Sequence, residues 1–96
     1  MKTAIFPGSF DPVTLGHLDI IERSSRLFDR LIVVILENSE KYATFSMEER
    51  LAFLRTNTAH LPNVEVAGNH GLTVDFARKH EAVAIVRGVR SVKDYE

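Results

Sequence analysis

The stretch 2-KTAIFPGSFDPVTLGH-17 runs from an apolar segment through a proline–glycine break to the start of a helix. Residues 2–6 read as a strand, and Pro7 and Gly8 end it. From there apolar side chains recur at Leu15, Leu18, Ile21 and Phe28, with small Ser25 between them, which predicts one buried helical face across residues 15–28. Asp29 and Arg30 break to LIVVILE, residues 31–37. That run is apolar without alternation, as expected of a strand covered on both faces in a parallel sheet. Residues 37–45 form a polar loop. Ser46 then caps a second helix with Glu49 closing the box, and Met47, Leu51, Leu54 and Leu61 mark its buried side. His60, Pro62 and Asn63 make a turn into a third strand at 64–67. Residues 68–71 (GNHG) lead to a third helix at 73–80, and AVAIVR, 82–87, is the last strand. Ser91, with Asp94 three residues on, reads as the cap of another helix.

Strands and helices alternate throughout, so the fold class is α/β, a Rossmann-like parallel sheet with flanking helices. Ligands of such sheets gather beyond the carboxyl ends of the strands. Residues 7–17, 37–45, 68–73 and 87–91 meet that edge. The 96 residues suffice for one domain, and the composition, 45% hydrophobic and 26% charged, is that of a globular protein. No apolar run reaches membrane-span length, and no signal peptide precedes the first strand. Absence of cysteine excludes disulfides and thiolate metal sites and fits a reducing compartment. A net charge of -1 argues against a broad nucleic-acid surface but leaves room for a small anion held by a few local cations.

Neither GxGxxG nor GxxxxGK is present. The first loop instead offers Gly8, the Ser9 hydroxyl and a helix start near Thr14, whose unpaired N–H groups suit phosphate oxygens. His17 lies about one turn inside that helix and can face the same anion. The helix end depresses its proton affinity and a bound anion raises it, so its charge stays open. Zinc is disfavoured, because no other histidine has paired ligand spacing with it. Asp11 and Pro12 read as turn chemistry, the carboxylate bonding nearby N–H groups. Lys41 is either a solvated lysine or a phosphate contact. Arg87 is either a surface strand terminus or an anion clamp, with Gly88 permitting close approach of a ligand and Arg90 just beyond. One helix end, a hydroxyl, a histidine, a lysine and two arginines, without an acid–base pair or a serine–histidine–acid triad, suit transfer between phosphate groups, where the attacking phosphate is already ionised.

The segment 14-TLGH-17 resembles the (T/H)xGH signature of the nucleotidyltransferase superfamily. The longer stretch 4-AIFPGSFDPVTLGHLDII-21, with 45-FSMEERLAFL-54, 62-PNVEV-66, 75-DFAR-78 and 84-AIVRGVRSVKDYE-96, resembles bacterial phosphopantetheine adenylyltransferases along the whole chain. That resemblance implies transfer of the adenylyl group of ATP to 4'-phosphopantetheine, Mg2+ as cofactor, a hexamer and a cytoplasmic location. It implies that His17 donates to the α-phosphate, that Ser9 contacts both substrates, and that the Phe10 backbone helps bind ATP. Lys41 and Arg87 would hold the phosphopantetheine phosphate, Gly88, Val89 and Arg90 would line the ATP phosphates, and Thr73 would touch the pantetheine arm. Cytidylyl and nicotinate-nucleotide relatives share the TxGH corner and differ at 87–96. Ser39 replaces a proline usual in the family's second loop. The family also has a glutamate, a fifth strand and an ISSS/T-type nucleotide-gripping segment beyond the position of residue 96. Residues 1–96 are therefore expected to be the N-terminal part of a single nucleotidyltransferase domain, truncated before the fifth strand. The protein of origin, rather than this fragment, is expected to be the enzyme.

Overall fold

Apolar residues that fill consecutive positions cannot all face one side of a strand, and the chain resolves this by covering both sides. The structure is a computed structural model that describes residues 1–37 and 43–88. Its elements are β1 (Thr3–Gly8), α1 (Leu15–Ser25), β2 (Arg30–Leu36), α2 (Met47–Thr58), β3 (Val64–Asn69), α3 (Thr73–Lys79) and β4 (Ala82–Ile85). The strands pair in the order β3-β2-β1-β4, all parallel. In β2, Leu31, Val33 and Ile35 enter one core with Ala4, Phe6, Phe10, Ile21 and Leu54. Ile32 and Val34 enter a second with Ile5 and Phe76. Thus α1 and α2 pack on one face and α3 on the other, as the expected α/β layering requires. Among the described residues no helix is long and apolar enough to cross a membrane.

The element boundaries differ from expectation where tertiary contacts intervene. β1 runs two residues past Phe6, with Pro7 opposite Val34 and Gly8 opposite Ile35. Pairing of β1 with β4 covers only Thr3 to Ile5, so Pro7 faces no β4 partner that would need its missing N–H. Helix α1 stops at Ser25 rather than 28, because the Asn63 side chain donates to the carbonyls of Ser25 (2.7 Å) and Phe28 (3.0 Å) and turns the chain there. Leu15 is 85% exposed and does not belong to the buried face. It is the first helical residue and points away from the sheet, while Leu18, Ile20 and Ile21 pack inward. β3 continues to Asn69, paired with Leu36, and β4 ends at Ile85, although the Val86 N–H still donates to the Ile5 carbonyl at 2.8 Å. The expected helix start at Ser91 lies outside the described residues.

At the strand amino ends, Arg30 pairs with Glu65 of the neighbouring strand, holding the guanidinium charged and the Glu65 carboxyl below its usual range through their mutual hydrogen bonds. Leu54 is fully buried between helix and sheet. Leu54→Ala is expected to lower unfolding free energy by about 2–5 kcal/mol, whereas Leu15→Ala should change it by less than about 0.5 kcal/mol; urea denaturation followed by circular dichroism checks both.

Candidate active site at the β1–β4 switch

After β3 the chain crosses back over the sheet, so β4 lies on the opposite side of β1 from β2. Loops leaving β1 and β4 therefore diverge, which opens a crevice at the carboxyl ends of these two strands. A cleft of about 950 Å³ occupies that position. Phe6 and Pro7 of β1, Thr14, Gly16, His17, Asp19, Ile20 and Arg23 of the first helix and its cap, and Arg87 and Gly88 after β4 line it. The early end of β4 leaves the last residues of β1 bare on that side, which is why Phe6 and Pro7 reach the cleft.

His17 is held by the helix it begins. Thr14 is the N-cap, and its hydroxyl accepts the His17 N–H at 3.2 Å. In return the Thr14 N–H donates to His17 Nδ1 at 3.0 Å. This is a capping box in which histidine stands where Glu or Gln is usual. Because Nδ1 accepts, the ring proton of the neutral imidazole resides on Nε2, leaving a donor for the cleft. The ring stands edge-on to Phe10, with centroids 4.9 Å apart, and Phe10 in turn packs edge-on against Phe6 at 5.3 Å. Partial burial against these rings pushes the His17 pKa below the ordinary histidine value. The Leu15 and Gly16 N–H groups find no acceptor among the described residues, so the helix start retains donors for an anion.

The residues expected to form a site divide into four groups. His17, Arg87 and Gly88 share the cleft. Ser9 and Phe10 lie on the loop behind it: Ser9 is exposed, and Phe10 is buried under the His17 ring. Thr73 is the first residue of α3, after β3, and does not line the cleft. The strand order explains its remove, since β3 sits two positions from β1, or about 10 Å. Lys41, Val89 and Arg90 lie outside the described residues. At Gly88 a Cβ would come within 2.6 Å of the Ile20 δ-methyl, the far end of a flexible side chain, so glycine eases rather than dictates the approach of this loop to α1. Gly8 is similarly pressed, with the Phe10 ring 3.0 Å from where a Cβ would be.

Asp19, Ile20 and Arg23 also line the cleft and were not singled out from the sequence. Their spacing from Gly16 (three, four and seven residues) was the available signal, because those positions share a helical face. Asp19 and Arg23 bond each other at 3.2 Å.

Residues 5–96 match the model of the cytidylyltransferase-like family. The chain belongs to that family. Within the cytidylyltransferase-like proteins its sequence is similar to those of phosphopantetheine adenylyltransferases, the proteins its motifs resemble. It is 56% identical over 93 residues to the phosphopantetheine adenylyltransferase of Nostoc sp., an alignment covering 97% of this chain and 49% of that protein. It is 55% identical over 96 residues to the Symbiobacterium thermophilum protein of the same name, covering 100% of this chain and 59% of the relative. The chain thus spans about half the length of the curated relatives it matches. The crystal structure of the lipopolysaccharide core biosynthesis protein from Thermoplasma volcanium superposes with a TM-score of 0.75 at 25% identity, covering 96% of this chain and 78% of the other.

The depressed pKa has a definite sign. Below the ordinary histidine value of 6.5, the unfolded chain binds a proton at this position more readily than the folded one. Stability contributed by the neutral ring is therefore full above pH 6.5 and is lost as pH falls toward the folded pKa. His17→Gln is expected to flatten the melting-temperature profile in that acidic window, and nitrogen NMR at neutral pH is expected to show the Nε2–H tautomer in the unsubstituted protein.

Proposed function

We propose that the protein containing these residues transfers the adenylyl group of ATP to 4'-phosphopantetheine, giving dephospho-coenzyme A and pyrophosphate. The observation that carries the reading is His17, whose Nδ1 accepts the Thr14 N–H, set beside open helix N–H groups and lining one cleft with Arg87. A phosphate oxygen of phosphopantetheine attacks the α-phosphorus of ATP. The new P–O bond forms as the bond to the bridging β-phosphate oxygen breaks, and its electron pair leaves on pyrophosphate. His17 donates to an α-phosphoryl oxygen and stabilises the charge that builds there. No strong base is required, because the attacking group is already ionised.

Arg87 holds the phosphopantetheine phosphate with its planar fork of donors. By the motif resemblance, Lys41 shares that phosphate, Ser9 contacts both substrates, the Phe10 backbone and Gly88, Val89 and Arg90 attend ATP, and Thr73 touches the pantetheine arm. Mg2+ belongs with the nucleotide as part of the substrate. Among the described residues no carboxylate–histidine cluster is built to cage a metal, and Asp19, the cleft's carboxylate, is engaged with Arg23. Mg2+ would be held through phosphate oxygens and water and would supply charge neutralisation of the polyphosphate. Hexameric assembly and a cytoplasmic location rest on the same resemblance.

The full-length protein, given ATP and phosphopantetheine, is expected to release pyrophosphate only when both are present, and CTP should not replace ATP. His17→Ala should lower kcat by about 10²–10³-fold, the scale of one lost transition-state donor, with much smaller changes in KM. Pyrophosphate release that ignores phosphopantetheine, or near-normal turnover without the imidazole, would overturn the assignment.

A further inference from the structure

Phe10 is a bulky residue in the left-handed region, with φ of 47°. Residues other than glycine hold that conformation only where their surroundings dictate it. What dictates it here comes from α2 and the residues that lead into it, none of which lines the cleft. On one side of Phe10, the Ser9 carbonyl accepts a hydrogen bond from Arg50 Nη1 at 3.1 Å. On the other side, the Asp11 carboxylate accepts the N–H groups of Thr44 at 2.6 Å and Phe45 at 2.7 Å, just ahead of the Ser46 cap. Arg50 also bonds the Ser46 carbonyl through Nε at 3.4 Å, so both anchors meet at the start of α2.

Arg50 is only 5% exposed, and among the described residues no carboxylate pairs with it. A buried guanidinium addressed to carbonyls is a costly way to fill core space, and an apolar residue of similar volume would serve stability at least as well. Its geometry instead fixes where Ser9 ends and Phe10 turns. The Phe10 ring is then held under the imidazole and against Gly8.

We propose that Arg50 and Asp11 are positioning residues that clamp the strained Phe10 turn from both sides and thereby set the place and tautomer-bearing orientation of His17. The inference rests on the adenylyl-transfer reading for its effect on rate, and on geometry alone for its effect on the imidazole. In the full-length protein, Arg50→Gln and Asp11→Asn are each expected to lower kcat about ten- to a hundredfold while KM for ATP and phosphopantetheine moves far less. Arg50→Lys, which keeps the charge but loses the fork, should recover part of the loss. The double variant should be little worse than the poorer single one, because both act through one turn. The His17 nitrogen resonances should shift in every variant, measured below its melting temperature. Unchanged kcat, losses that multiply, or unmoved His17 resonances in folded variants would each overturn the clamp. If Arg50→Gln does not fold, Asp11→Asn carries the test, since its side chain keeps the same shape. An unsubstituted protein without adenylyl transfer would refute the functional reading instead, leaving the resonances to judge the clamp.

Discussion

A helix begins with N–H groups that have no partner inside it, and α1 meets that requirement with a histidine. The exchange between Thr14 and His17 does two things with the same bonds. It stabilises the helix start, and it spends the Nδ1 lone pair, so that the remaining ring nitrogen must carry a proton toward the cleft. The donor side of the site follows from this. The anion is drawn to a helix end, the donor is fixed in direction, and burial against the aromatic pair behind it lowers the ring's pKa. The spacing of 14-TLGH-17 is the spacing of a cap and its third helical residue.

The layering was legible because burial on both faces leaves an unmistakable mark: Leu31 to Ile35 have no polar position. Both capping boxes could be anticipated as pairs three residues apart, Ser46 with Glu49 openly and Thr14 with His17 less so. What the sequence could not convey were contacts between distant segments. The end of α1 is decided by Asn63, thirty-eight residues beyond Ser25. β1 runs on to Gly8 because Pro7 and Gly8 pair with Val34 and Ile35 of the distant β2. Leu15 matched the apolar spacing, but a first helical residue precedes the turn that faces the sheet.

The same distinction holds at the site. His17 and Arg87 could be named because strand ends of a parallel sheet are where such ligands gather. Arg50 could not, since nothing in FSMEERLAFL announces that its guanidinium will pass beneath the first loop to Ser9. Asp11 was rightly read as bonding backbone N–H groups, yet those groups belong to Thr44 and Phe45 rather than to its own turn. Local pattern reveals which residues have the right chemistry, and long-range register determines which of them meet.

The two jaws of the cleft are anchored unequally. His17 stands on a helix packed into the larger core, beside a strand paired with β2 along its whole length. Arg87 follows the four-residue β4, which among the described residues pairs with β1 alone, with Ala82 packed on the Phe76 side and Ala84 against the larger core. Amide exchange through partial opening should consequently reach β4 before β1. A ligand bridging both jaws then contributes cohesion as well as occupancy, because it ties β4 to β1 beyond their last paired residues, Ile85 and Ile5.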